Sequence, residues 1–460
     1  MQRCEAKPRA PKESQDHTTA PPPGQIRQVA DRLFRHEAGR LVATLTRIFG
    51  PGRLSLAEDV VQEALVKALQ TWPYYGVPTN PSAWITQVAK NLALDVIRRE
   101  RAFRTKEPEL AGFLEQARPM ADDSLLLDGE IADDRLRMMF VCCHPVLPPD
   151  AQVALALKTL CGFSAAEIGK AFLTTEVATA KRLTRARQQI REASIPFEIP
   201  AGKDLSARLD AVLQTLYLLF NEGYKASSGE NLIREELCHE AIRLTTLLID
   251  HPTVARPRIH ALLALMLLNA ARLPTRVDAA GNVLRLQEQD RSRWDRGMIA
   301  RGMSHLTRSV DGNDISAYHL QAGIAACHCA APDYASTDWP HILALYDQLS
   351  AIDDSPIVAL NRAVAVAKVH GPAEGLAAVK AIRHRGKLDA YYLLYAVLGD
   401  FEAQLNHPQA AAEYFRASLQ RTGITSEQRF LSKRIRECEA QSRSRIRLPG
   451  NLVGSSCELP

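Results

Sequence analysis

Apolar residues recur at three- and four-residue spacings along almost the whole chain, and no stretch of strand length alternates apolar with polar. One-sided spacing of that kind buries one face of a helix, so the pattern predicts an all-α protein. The first helical segments fall near 25–48, 55–71 and 81–103. In the second, Val61, Ala64, Leu65 and Ala68 form the apolar stripe; in the third, Ile85, Val88, Ala89, Leu92 and Val96 do. A shorter helical unit follows. Pro148-Pro149-Asp150 opens a helix through Leu160 that Cys161-Gly162 ends, and Ser164-Ala-Ala-Glu167 is a capping box that starts the next. After the turn Leu173-Thr174-Thr175, a third helix is predicted over Glu176–Glu192, with Val177, Ala180, Leu183, Ala186 and Ile190 inward. Short helix, tight turn and longer helix make helix-turn-helix geometry.

Punctuating residues divide the chain. Five prolines and mixed charges mark 1–23 as a disordered tail, and the first helical block takes 24–104. From Glu107 to Asp134 nine acidic residues stand against one basic, Arg118, which predicts an acidic linker over 105–134. The helix-turn-helix unit occupies 135–195. Ile195-Pro196-Phe197-Glu198-Ile199-Pro200 reads as extended, because each proline biases the residue before it away from helix. Helical hairpins are predicted over 200–441, and a second tail over 442–460. Gly371-Pro372-Ala373-Glu374 and His407-Pro408-Gln409-Ala410 are turns 36 residues apart between Ala-rich helices. That is close to the period of about 34 residues in tetratricopeptide-type solenoids.

Composition narrows the class. The 460 residues allow about three domains. The longest apolar run, Ala261–Leu268, has eight residues, against the roughly 20 of a membrane-spanning helix, and no secretory apolar region opens the chain. No membrane partner is expected. Nine cysteines, an odd number without regular spacing, point to reduced thiols in a cytoplasm. Val141-Cys142-Cys143-His144 with Cys161 fits no zinc-site spacing, and no nucleophile–base pair or phosphate loop is present, so neither metal, cofactor nor catalysis is expected.

The net charge of +5 says little, but its distribution says more. On the helix near 55–71, Glu58, Asp59, Gln62 and Glu63 share the face opposite the apolar stripe. They are either a solvated acidic face or a docking face for a basic partner. On the helix from Pro81, Gln87, Asn91, Asp95 and Arg98 form a polar stripe that Arg99, Arg101, Arg104 and Lys106 extend with positive charge. Amides and guanidinium groups on one helix face suit base edges and phosphates. Just upstream, Trp72-Pro73-Tyr74-Tyr75-Gly76 reads as a Pro/Gly loop whose rings either cap a small core or stack an unpaired base. In the helix over Glu176–Glu192, Lys181, Arg182, Arg185, Arg187 and Arg191 are five basic residues with no acid among them.

These residues carry a resemblance. Asp59-Val-Val-Gln-Glu-Ala-Leu-Val-Lys-Ala, followed by Trp84-Ile-Thr-Gln-Val-Ala-Lys-Asn-Leu-Ala-Leu-Asp95-Val-Ile-Arg98-Arg99, is similar to region 2 of bacterial sigma factors of the extracytoplasmic-function group. The helix-turn-helix unit resembles their region 4. The resemblance implies that Glu58, Asp59, Gln62 and Glu63 face core RNA polymerase. Trp72, Tyr74, Tyr75, Gln87, Asn91, Asp95, Arg98 and Arg99 would meet the −10 element, including its melted strand. Lys181, Arg182, Arg185 and Arg187 would meet double-stranded DNA at the −35 element. One position departs from the pattern: Ala178 stands where the family commonly has a short polar residue.

About 260 residues follow region 4, where ordinary members of this group end. Leu216-Tyr-Leu-Leu-Phe-Asn221-Glu222-Gly223-Tyr224 and Gln287-Glu-Gln289-Asp290-Arg291-Ser-Arg293-Trp294-Asp295 are similar to the subgroup with a tetratricopeptide-like C-terminal extension. Asp290, Arg291, Arg293, Trp294 and Asp295 are either an internal salt-bridge hub or a contact that docks the extension. The expected protein is a cytoplasmic sigma factor whose extension modulates it, with core RNA polymerase, promoter DNA and a regulatory protein held by the repeats as its partners. The alternative is a stand-alone helix-turn-helix regulator with a protein-binding repeat domain.

Overall fold

A computed structural model describes residues 38–103, 134–200, 202–226, 232–251, 254, 256–311 and 315–446. The predicted tail 1–23, nearly all of the acidic linker, and Arg104 and Lys106 lie outside them. Among the described residues the protein is all-α, with one isolated bridge between Val277 and Val283. It divides into two compact units, the first holding the helices before the linker together with Thr159–Gly162.

In the first unit, α1 covers 38–49, α2 Leu54–Tyr75 and α3 Pro81–Phe103. The predicted stripe of α2 is buried, together with Leu54, Ala57, Val60 and Trp72. The expected loop at Trp72–Tyr75 is instead the last turn of α2. Pro73 removes a single backbone donor there. Gly76, at φ 81°, closes the turn by donating to the Trp72 carbonyl (3.0 Å). Trp72 is 1% exposed and meets Trp84 of α3 edge-to-face, with ring centroids 5.7 Å apart. Asn80 caps α3, its side chain accepting from Ala83 N–H (3.0 Å), and Pro81 fits the first turn. The fully buried stripe of α3 is Ile85, Ala89, Ala93 and Ile97, with Val88, Leu92 and Val96 only half-buried. Small alanines let α3 approach closely, which rotates the contact by part of a turn from the predicted line.

The second unit starts with α4 (Asp134–Cys142), α5 (Pro149–Cys161) as far as Lys158, α6 (Ala165–Ala171) and α7 (Glu176–Glu192). Ser164 and Glu167 form the capping box of α6 (3.1 and 2.7 Å). Gly169 permits the tight turn that follows, since a Cβ there would lie 3.0 Å from the Thr174 carbonyl oxygen. Leu173 takes the left-handed conformation at φ 51° in that turn. The extension then runs through α8 (Gly202–Tyr224), α9 (Glu235–Asp250), α10 (Pro257–Ala270), α11 (Arg296–Arg308), α12 (Ala317–Ala330) and α13 (Trp339–Ile352). It continues with α14 (Pro356–His370), α15 (Pro372–Lys380), α16 (Tyr392–Gln404), α17 (Pro408–Leu419) and α18 (Thr425–Ile446). Consecutive helices pack as hairpins, among them α14 with α15 and α16 with α17 across the two predicted turns. The longest apolar run becomes α10, buried on nearly every side. α18 runs to Ile446, so 442–446 of the predicted tail are helical, and the rest of that tail lies outside the described residues.

Candidate nucleic-acid interface

On α2 the polar face survives with one change. Asp59, Gln62 and Glu63 are exposed, and Glu63 pairs with Lys67 (3.3 Å). Glu58 is half-buried and accepts from the Thr159 hydroxyl (2.8 Å) within the same unit, so it is less free than its neighbours. The same ridge carries two residues that sequence reasoning passed over. Val66 is 51% exposed and Leu69 44% exposed, and with Asp59 and Gln62 they fall at i, i+3, i+7 and i+10. That spacing was the available signal.

On α3, Gln87, Asn91, Asp95, Arg98 and Arg99 are all exposed, opposite the buried stripe. Gln87 donates to Asn91 (3.0 Å), and Arg98 lies 3.8 Å from Asp95. The ridge therefore presents partly pre-ordered amides beside guanidinium groups. Of the three aromatics ahead of α3, Trp72 belongs to the core, while Tyr74 (83%) and Tyr75 (86%) project almost free.

On α7, Lys181 and Arg185 are exposed, Arg182 and Arg187 half-buried, and Arg182 lies 3.6 Å from Asp150 at the start of α5. The buried stripe is Thr179, Leu183, Ala186 and Ile190. Val177 and Ala180, predicted inward, are exposed. Thr179 takes the inward position because its hydroxyl is satisfied by the Thr175 carbonyl (3.0 Å). Among the described residues no group of three His, Cys, Asp or Glu side chains is placed to hold a metal, and Cys142, Cys143 and Cys161 are buried.

The extension grips the helix-turn-helix unit through three arginines, Arg208 buried and Arg135 and Arg234 half-buried. Arg234, at the head of α9, reaches Glu167 of the capping box (3.2 Å) and Glu222 of α8 (3.1 Å). Arg135 of α4 donates to Glu240 of α9 (2.6 Å), and Arg208 of α8 to the Phe140 carbonyl (3.3 Å). Burial alone would raise the Glu167 carboxyl, but hydrogen bonds from Ser164 and the Arg234 guanidinium outweigh it and hold the group below its usual range. Glu240 is held low in the same way by Arg243 and Arg135. Three of these contacts, Arg234 to Glu167, Arg208 to Phe140 and Arg135 to Glu240, join residues 67, 68 and 105 apart in sequence, a separation at which a single chain's pattern gives no signal.

Residues 289–295 serve the interior of the extension. Arg291 is buried and donates to the carbonyls of His328 and Ala331 (both 2.8 Å) and to the Thr337 hydroxyl (2.9 Å). Trp294 is 2% exposed, with its indole N–H on Thr275 (2.9 Å). Asp290 caps the short turn at Ser292 (3.0 Å), Asp295 caps α11 at Met298 (2.9 Å), and Arg293 is exposed. The far end of the extension returns to its start. Lys225, just after α8, pairs with Glu427 of α18 (3.6 Å) and lies 4.5 Å from the Tyr392 ring of α16. Burial pushes its ammonium down to about 8 against the pull of Glu427.

Comparison with known proteins follows the same division. Sigma-70 region 2 matches residues 33–103, sigma-70 region 4 matches 137–190, and a family of unknown function, DUF6596, matches 208–310. An uncharacterized protein of Rhizobium meliloti is 38% identical over 84% of this chain and 91% of its own length. The ECF RNA polymerase sigma factor SigE of Mycolicibacterium smegmatis is 30% identical over 35% of this chain and 60% of its own length. SigG of Mycobacterium tuberculosis, also an ECF RNA polymerase sigma factor, is 26% identical over 35% of this chain, spanning half of its own length. No solved structure matches the chain.

Proposed function

Because the chain belongs to the sigma-70 family of RNA polymerase sigma factors, in its extracytoplasmic-function branch, we propose a division of labour among its exposed helix faces. The α2 ridge of Asp59, Gln62 and Glu63, continued by Val66 and Leu69, docks core RNA polymerase. The α3 ridge meets the −10 element, with Tyr74 and Tyr75 as the free rings that can stack an unpaired base. The α7 face meets duplex DNA at the −35 element. This work takes place in the cytoplasm and needs no cofactor. Among the described residues no helix is long and apolar enough to cross a membrane.

One observation carries the reading: three helices in two units each set a buried stripe directly against an exposed ridge of charge and amide groups. A stand-alone regulator would use α7 and leave the α2 ridge and the two free tyrosines without work. Transcription in vitro from a matched promoter, with core polymerase and with or without the chain, tests the proposal. Reversing Asp59 and Glu63 to Lys should weaken capture of core polymerase while helicity is unchanged; unaltered capture would refute the docking face.

For the extension, we propose a supporting role. It holds the helix-turn-helix unit through Arg135, Arg208 and Arg234, while Arg291 and Trp294 are buried within the extension itself. Its hairpins can also hold a regulatory protein segment, since stacked helix pairs build extended concave faces.

A further inference from the structure

We infer that Val177 is a base-reading residue of α7 that meets the 5-methyl group of a thymine in the −35 element; this rests on the −35 role proposed above. The argument begins with the helix's own geometry. α7 buries Thr179, Leu183, Ala186 and Ile190, at i, i+4, i+7 and i+11. Half a revolution away stand Val177, Lys181, Thr184 and Gln188, with the same spacing and all exposed. That outer ridge is the part of a recognition helix that enters the major groove. Arg182 and Arg187 lie on its two flanks, nearer the buried side, where the phosphates of the groove walls pass.

Position along the ridge matters next. In helix-turn-helix proteins the N-terminal residues of the recognition helix contact base edges. Val177 is the second residue of α7, immediately after the Thr175 cap and Glu176. It is 65% exposed, so it contributes little to the core, and a β-branched residue is not chosen for helix propensity. With Ala178 and Ala180, also exposed, it gives this turn an outer surface of methyl groups. Such a surface offers no hydrogen bond to a base. Its complement in the major groove is the C5-methyl of thymine. Ala178, where a short polar residue is common in the family, fits the same reading: hydrogen-bonded readout falls to Lys181 and Gln188 further along.

The test uses the full chain with core polymerase. Binding sequences are first selected from duplexes randomised over the −35 region. Each thymine of the selected element is then replaced singly by deoxyuridine, which deletes the methyl and keeps every hydrogen-bonding group. One replacement should weaken binding about three- to fivefold, the factor that burial of one methyl-sized group supplies. In Val177→Ala that loss should shrink to less than about twofold, and Val177→Thr, which keeps one branch methyl, should restore part of it. Failure to select any sequence would overturn the −35 role of α7 itself. A selected element whose deoxyuridine forms all bind like the parent, or a Val177→Ala chain with the wild-type loss, would overturn this inference alone.

Discussion

Trp72 and Tyr75 lie three residues apart on α2 and do opposite work. The Trp72 ring fills space between α2 and α3, so Trp72→Ala should cost about 3–5 kcal/mol in denaturant unfolding. Tyr74 and Tyr75 touch little of the unit. Replacing both with Ala should leave stability within about 0.5 kcal/mol yet lower the fluorescence signal of a 2-aminopurine unstacked at the −10 element. An unchanged signal would remove both tyrosines from promoter opening. The arginines of α7 divide similarly. Arg182 sits on a flank beside Asp150 (3.6 Å), and the role proposed for it is a phosphate contact. Arg182→Ala should lower the slope of log affinity against log salt by about one, with base preference unchanged; a new preference at constant slope would place Arg182 on base edges instead. In the sequence the polar type of each of these residues was plain, but exposure was not. Whether a ring next to a proline caps a core or projects from it depends on a partner such as Trp84, twelve residues on.

Among whole elements, α7 was legible to the residue, because Thr175 caps it and Glu192 precedes a break. The capping box of α6 was equally plain. What could not be read was that Glu167 has a second task, accepting from Arg234 (3.2 Å) while it caps the helix. This double use predicts a pH dependence. The folded Glu167 carboxyl lies below its unfolded value of about 4.3, so its contribution is complete above that value and is lost as pH falls through the folded one. Glu240 adds to the same acid limb. Glu167→Gln keeps an oxygen for the Ser164 N–H and removes the titration. Between pH 6 and pH 3, thermal unfolding of this variant should therefore fall less steeply than that of the parent chain. Parallel curves would show that the Arg234 cluster does not titrate with folding. The buried stripes of α3 and α7 were each displaced in part from the predicted line, for local reasons: small alanines in one, a self-satisfied threonine in the other.

At the scale of the whole molecule, the joint between the helix-turn-helix unit and the extension decides what truncation does. Leu136, Met138, Met139 and Phe140 of α4 are all 0% exposed, and α4 packs on α8. A chain ending near Pro200 loses that cover. It also loses Arg234 from Glu167, Glu240 from Arg135, and Arg208 from the Phe140 carbonyl. Removing one partner of a buried ion pair costs about 3–5 kcal/mol, more than the intact pair contributes, because the remaining charge stays desolvated. Truncation should therefore abolish promoter-dependent transcription rather than raise it. A rise would instead assign the extension an inhibitory role, and an unchanged level would make it irrelevant to initiation. Since the shortened chain can fail simply by unfolding, Arg234→Met in the full chain supplies the separating measurement. It keeps α8 and α9 in place and cuts one tie, so core-polymerase capture through α2 should persist while binding at the −35 element falls. Arg234→Lys, which restores the charge without the two-pronged geometry, should recover only part of that binding. Full −35 binding by Arg234→Met would show that packing of α4 on α8 positions α7 without the ionic tie.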